Sequence, residues 1–331
     1  VLSIGIIGAS RIAKDAVLDP SLVVDGVEVL SVAASQHERA RNYAAQHNIP
    51  RAEQSYDCLL DNDDIDLIYI GLPPAHHETW TMRALRAGKN VLCEKPLSLD
   101  AASVVRMTSL AEELGLQLIE GMHCRFHPLF QHILSLSRLS AFGAINHVDA
   151  HFNVPVPNEP GEFRYSSMLG GGALMDLGCY PIHWVRTVIG SEPEIVSASS
   201  QFHASRVDLQ TEALLKFSTG ATASVRCSMD PALPIGVDAK MKISSSQGWI
   251  EVDNPLQPGL GSQLQWQFGD QAGHKAYGGD TFRFQLEHTV RVINGTAAPV
   301  TGGADSIANM SVIDGIKAAV ANQQTASVNA A

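Results

Sequence analysis

Two parts of this sequence carry residue types whose spacing could move a proton. In the first, Val91-Leu92-Cys93-Glu94-Lys95-Pro96, an apolar run ends in a charged pair and a proline stops it. In an open parallel sheet, ligands collect outside the carboxyl ends of the strands. A buried strand delivering Lys95 there places an ammonium where chemistry happens; a solvated Glu-Lys pair at a strand end is the plainer reading. Pro96 has a fixed φ and no N–H, so it turns the backbone and helps pin the lysine. In the second part, Asp176, Tyr180 and His183 follow Gly170-Gly171-Gly172 at i, i+4 and i+7. With ~3.6 residues per turn these three share one helix face. A carboxylate, a phenol and an imidazole are an odd set among Ala173, Leu174, Met175, Leu177, Ile182, Trp184 and Val185. Proton transfer is one use for them, and a satisfied polar network in a core is the plainer one. Pro181 is expected to kink this helix and leave the Leu177 carbonyl unpaired. Arg125 and Arg164 are candidate substrate contacts, with ordinary ion pairs as the alternative.

The elements that must position these groups read in order along the first half. Leu2 to Ile7 is a short apolar strand, and Gly8-Ala9-Ser10-Arg11-Ile12-Ala13 opens a helix-compatible stretch. Strand, tight turn and helix is the setting in which a glycine-rich fingerprint binds a dinucleotide, with pyrophosphate at the helix N-terminus. Gly8 allows the turn, while Ser10 and Ala13 stand where the fingerprint has its second and third glycines. A second strand, Val27 to Ala34, ends in Ser35-Gln36-His37-Glu38-Arg39. An acidic residue at Ser35 or Gln36 would favour NAD through the ribose hydroxyls. Neither position has one, and Arg11 and Arg39 can reach a 2′-phosphate, so NADP is preferred and NAD possible. Ile65 to Ile70 is a further strand, closed by Gly71-Leu72-Pro73-Pro74, and a helix starts near His76 or His77. Adjacent histidines point to different faces, so no shared metal is expected; capping backbone or touching cofactor suits them better. Helix Ser98 to Leu114 and strand Gln117 to Glu120 complete a doubly wound parallel sheet over residues 1–123.

From Ile145 the pattern changes to alternating strands separated by turns such as Ser218-Thr219-Gly220 and Ser246-Gln247-Gly248. The fold expected is therefore α/β: an N-terminal Rossmann domain, 1–123, then an α+β domain, 124–331, built on a large, mostly antiparallel, open-faced sheet. Phe126 to Leu139 reads as a helix between them, and the last helix can pack back on the first domain. One helical layer covers one sheet face, so the open face is expected to bury against another subunit in a homodimer or homotetramer. A net charge of −11 leaves no basic footprint for nucleic acid or acidic membranes, and 45% apolar residues support a sizeable core. Five scattered cysteines form no CxxC, which argues for reduced thiols and against structural zinc. No apolar run is long enough to span a membrane and no signal peptide is visible, so a cytoplasmic enzyme is expected.

Taken together, these residues resemble the glucose–fructose oxidoreductase / inositol dehydrogenase / MocA family. The matching pieces are Gly8 to Ala13, Leu72-Pro73 with His77, Ala84 to Pro96, Glu120-Gly121 through Arg125-Phe126-His127-Pro128, and Gly170 to Tyr180. Gln285-Leu286 and Ala304 to Ile316 extend the likeness to the end of the chain, and Ser10 is the main departure. The lysine and Asp-x-Gly-x-Tyr segments are closest to the branch of dihydrodiol dehydrogenases and sugar ketoreductases. The resemblance implies hydride transfer between NAD(P) and a carbinol or carbonyl carbon of a sugar, cyclic polyol or diol. It implies Lys95 and Tyr180 as the acid/base pair; in the inositol-dehydrogenase-like branch it implies a histidine assisted by a carboxylate, which keeps His183 and Asp176 as candidates. Cofactor contacts are expected from Gly8, Ala9, Ser10, Arg11, Ile12, Ser35, Gln36, Arg39, Leu72, Pro73, His77, Glu94 and Lys95. A nucleotide-sensing regulator and a cofactor-retaining sugar–sugar oxidoreductase are the competing functions, and intact Lys95, Tyr180 and His183 speak against the regulator.

Overall fold

A computed structural model describes residues 1–329 and, in the last helix, side chains as far as residue 325. The chain forms two compact units: Val1–His123 with Phe282–Ile307, and Cys124–Thr281 with Ala308 onward. Residues 330 and 331, placed by the sequence in the second domain, lie outside the described part.

The first unit is built on six parallel strands: β1 (Leu2–Ile7), β2 (Val27–Ala33), β3 (Arg51–Ala52), β4 (Leu67–Ile70), β5 (Asn90–Cys93) and β6 (Leu118–Glu120). Their order, β3-β2-β1-β4-β5-β6, reverses direction between β1 and β4, the switch point of a doubly wound sheet. Strands β1, β4 and β5 are buried almost throughout, as expected for a sheet covered on both faces. Helix His77–Arg86 packs on helix Ala101–Leu114 and on β5. On the core side of helix Thr281–Ile293, Phe282, Leu286 and Val292 join Leu2, Ile4, Val17 and Leu92. That apolar stripe puts Phe282–Ile307 in the first unit, whereas the sequence places 124–331 in the second domain with only the last helix able to pack back on the first.

The second unit holds an eight-stranded sheet. Its strands are β7 (Ile145–Asn153), β8 (Pro193–Phe202), β9 (Asp208–Phe217), β10 (Thr222–Ser228), β11 (Asp238–Ser245), β12 (Gly248–Asp253), β13 (Ser262–Phe268) and β14 (Gln271–Tyr277). They lie in the order β14-β13-β12-β11-β7-β10-β9-β8, antiparallel except where β10 meets β7. Val148, Ala150 and Phe152 of β7 and Ala223, Val225 and Cys227 of β10 are buried, and helix Cys179–Ile189 packs against both strands. The alternate residues on the other face are polar, with ion pairs such as Arg226–Asp149 at 3.1 Å and Lys240–Glu251 at 2.7 Å.

Among the described residues no helix is long and apolar enough to cross a membrane, and the cysteines are free thiols. No group of three His, Cys, Asp or Glu side chains placed to hold a metal occurs among them either.

Candidate functional site

Strand register brings the first set of groups to one edge. Ile7 of β1 pairs with Ile70 of β4, Ile70 with Cys93 of β5, and Cys93 with Glu120 of β6. Gly8, Gly71, Glu94 and Gly121 therefore leave the sheet at one level, its carboxyl end. Gly8 has φ +102°, and a Cβ there would lie 2.8 Å from the Gly71 carbonyl oxygen and 2.9 Å from Leu72 Cδ2. Only glycine accepts that conformation and that approach. The turn is closed by Ser10 N–H donating to the Gly8 carbonyl at 2.8 Å, and Tyr43 donates its hydroxyl to the Ser10 carbonyl at 3.0 Å. A helical run over residues 11–21 follows, wide through Lys14–Leu18.

This turn fits a dinucleotide phosphate. The buried Ser10 Oγ has no hydrogen-bonding partner in the protein, and it lies at the N-terminus of the helical run. A hydroxyl left so is a donor in want of an acceptor, which a phosphate oxygen supplies. Ala9, Ile12, Leu72 and Pro73 are half-buried around it, while Arg11, Ser35, Gln36 and Arg39 are exposed. Arg39 Nη1 donates to Ser35 Oγ at 3.4 Å, so arginine and serine stand together at the end of β2.

Lys95 is half-buried, and its peptide bond to Pro96 is cis. Its backbone is held by neighbours that are themselves buried. Glu94 accepts the Tyr69 hydroxyl at 3.0 Å, and burial first, then Glu94, pushes that phenol well above its ordinary range. His77 has no exposed surface; its Nε2 lies 2.7 Å from the Leu72 carbonyl oxygen and its Nδ1 3.0 Å from that of Pro96. Burial lowers its pKa to about 4, so the ring is neutral and donates to one carbonyl at a time. His77, expected among the cofactor contacts, is thus turned to backbone and supports the loops on either side. His123, which the sequence reading did not single out, is also buried; its ring stacks on Phe282 at 4.1 Å. Burial first, and the Lys95 charge second, push His123 down to about 3.

The second set lies in the other unit. Residues Leu174–Gly178 form a π-turn that runs into helix Cys179–Ile189. The Leu177 carbonyl, expected to lack a partner because of Pro181, accepts the Cys179 N–H instead. The run is entered through Gly172, at φ +113°, where any Cβ would overlap Asp208 Oδ1. Asp208 Oδ2 accepts the Leu174 N–H and the Thr211 hydroxyl, both at 2.7 Å, and burial raises its pKa.

Asp176 is tied to Arg164, with Nε 2.5 Å from Oδ2, and Glu162 takes Nη1 at 3.0 Å. Burial works against the guanidinium charge, but Asp176 and then Glu162 outweigh it and raise the Arg164 pKa. Asp176 is the more buried partner, so removing Arg164 would leave its carboxylate without this ion pair, whereas removing Asp176 leaves Arg164 paired with Glu162. Tyr180 is 4% exposed, with its ring edge-on to Phe152 at 5.6 Å. His183 is buried 6.4 Å from the Phe130 ring, and the Arg125 guanidinium lies 5.4 Å above that same ring. Thus the structure gathers Lys95, Glu94, His77 and His123 in one unit, and Asp176, Arg164, Tyr180 and His183 in the other. Glu120 was legible as part of the family-matching stretch that begins at Glu120-Gly121, and Asp208 only as a polar residue at a strand end.

Residues 2–122 match an oxidoreductase family with an NAD-binding Rossmann fold, and residues 130–251 match the GFO/IDH/MocA C-terminal domain. The trans-1,2-dihydrobenzene-1,2-diol dehydrogenase of Xenopus tropicalis is 36% identical over 255 residues, 76% of this chain and 75% of that one. The dTDP-3,4-didehydro-2,6-dideoxy-alpha-D-glucose 3-reductase of Streptomyces violaceoruber is 36% identical over 262 residues, 78% of this chain and 75% of its own. Among solved structures, KijD10, a 3-ketoreductase from Actinomadura kijaniata in complex with NADP and TDP-benzene, superposes with a TM-score of 0.88. It is 27% identical, over 96% of this chain and 98% of that one. Structures of that reductase also exist with a tyrosine replaced by phenylalanine and with a lysine replaced by alanine.

Proposed function

This chain belongs to the GFO/IDH/MocA oxidoreductase family, and from that premise we propose that it passes a hydride between NADP and a carbon of a sugar, cyclic polyol or diol. The reaction interconverts a carbinol and a carbonyl. The observation that carries the reading is a glycine turn with a buried, partnerless Ser10 hydroxyl at the switch point, and Lys95 leaving β5, one strand beyond β4, at the same carboxyl edge of the sheet. The preference for NADP over NAD rests on the end of β2, where Ser35 and Arg39 stand and no carboxylate occupies position 35 or 36.

When bound, the nicotinamide supplies or accepts the hydride. Gly8 to Ile12 hold the phosphates through backbone N–H groups and the Ser10 hydroxyl. Lys95 holds the nicotinamide ribose and donates to the reacting oxygen, and its charge stabilises the developing alkoxide. Tyr180 gives or takes the proton. His183 binds a neighbouring substrate hydroxyl, and Arg125 is a further substrate contact. The Arg164–Asp176 ion pair supports Tyr180 over a His183–Asp176 relay, because it engages the carboxylate such a relay would need. We assign the polar face of the second sheet to a second copy of the chain; the eight strands carry helices on the opposite face.

The test is a fluorescence titration with NADPH and NADH, then turnover against a panel of aldoses, keto-sugars, cyclic polyols and diols with each cofactor. NADPH should bind more tightly, and at least one substrate should turn over. Tighter NADH binding overturns the NADP preference. Absence of turnover across the panel overturns the substrate class.

A further inference from the structure

We infer that Glu120 is a positioning residue for Lys95: its buried carboxylate straps the backbone just beyond the lysine to the turn that opens the last helix. The inference rests on the role proposed for Lys95 and adds the device that holds it. Glu120 ends β6, in register with Cys93 of β5, and is 2% exposed. Its Oε1 accepts the Leu97 N–H at 2.9 Å, two residues past Lys95, and its Oε2 accepts the Ser306 hydroxyl at 2.5 Å. Ser306 Oγ in turn accepts the Gly302 N–H at 3.0 Å, and the Thr301 hydroxyl donates to the Glu120 carbonyl at 2.8 Å. All of these residues belong to the first unit.

The arrangement suits a carboxylate. Leu97 N–H and Ser306 O–H are both donors, so the group between them must accept twice, and a charged acceptor makes the stronger bonds. Packing alone would be served better by an apolar residue, because burying a carboxylate is costly unless each of its bonds is made. Glu120 and His77 act on successive residues, Leu97 through its N–H and Pro96 through its carbonyl. The segment that follows the lysine is thus held at Leu97 by Glu120, with His77 packed against the Pro96 carbonyl. A lysine side chain has four rotatable carbons, so the placement of its ammonium depends on how firmly its own backbone is fixed. A displacement of about 1 Å at a reacting group can cost on the order of a hundredfold in rate.

Two substitutions cut the strap from opposite ends, Glu120→Gln and Ser306→Ala, and Ser306→Thr retains the hydroxyl. Hydrogen–deuterium exchange reads the strap without any need for turnover. Both cutting variants should speed exchange in the peptide covering residues 95–99 and leave peptides from β1 and β4 unchanged. With a substrate in hand, kcat should fall about tenfold or more in both. The Kd of NADPH should change less than kcat, since the Gly8 turn is untouched and only the ribose contact of Lys95 is loosened, and Ser306→Thr should behave as wild type. Unchanged exchange at 95–99 in both cutting variants overturns the inference. So does a loss of thermal stability accompanied by wild-type kcat, which would mark Glu120 as a structural residue only. A wild-type protein without turnover on any substrate sinks the proposed substrate class instead, and exchange still decides the strap.

Discussion

A phenol and an imidazole three residues apart on helix Cys179–Ile189 compete for one role, and only the proton they move separates them. The Arg164–Asp176 pair at 2.5 Å favours the phenol, because the carboxylate is already bound to a guanidinium. Tyr180→Phe should therefore lower kcat by about a hundredfold to a thousandfold, while the NADPH Kd measured by fluorescence stays within a factor of two. Near-normal turnover in that variant would shift the proton to His183. At this scale Lys95, Tyr180, His183 and Asp176 were visible in the sequence through residue type and spacing. What Glu120 and His123 do was not, because it comes from what packs against them: Ser306 and Phe282, more than 150 residues away along the chain.

At the scale of elements, the Gly8 turn is the part that tolerates least change. A Cβ there meets the Gly71 carbonyl oxygen at 2.8 Å in a backbone conformation that L side chains rarely adopt. Gly8→Ala should destabilise the fold by about 1–3 kcal/mol and weaken NADPH binding more than tenfold. Thermal unfolding and fluorescence titration measure the two effects, and wild-type affinity in a folded variant would remove the phosphates from this turn. The Rossmann strands were readable as apolar runs, apart from β3, which has two residues and no pattern. Edge strand β14, Gln271–Tyr277, is mostly exposed along its length, so no alternation of apolar and polar residues announces it. Pro181 announced a disturbed helix, but its form is a π-turn at Leu174–Gly178, before the proline. A wide turn there spares the chain the bond that proline cannot donate, and Asp208 secures its start.

At the scale of the molecule, an eight-stranded sheet with helices on one face leaves a broad polar face for a partner. A homodimer or homotetramer is expected by light scattering, and a monomer at micromolar concentration would overturn that assignment. Composition and periodicity were enough to determine the kind of fold, a covered parallel sheet followed by a half-covered antiparallel one. The reason is that burial on two faces or one leaves different patterns in the order of apolar residues. Sequence spacing also put forward the side chains proposed to move a proton. Tertiary structure alone decided that Phe282–Ile307 returns to the first unit, since the apolar stripe of one helix fits more than one core. It alone decided that His77 faces backbone and that Glu120 grips Leu97. A buried polar group takes its meaning from the donors and acceptors that folding brings to it, and chain order does not record those.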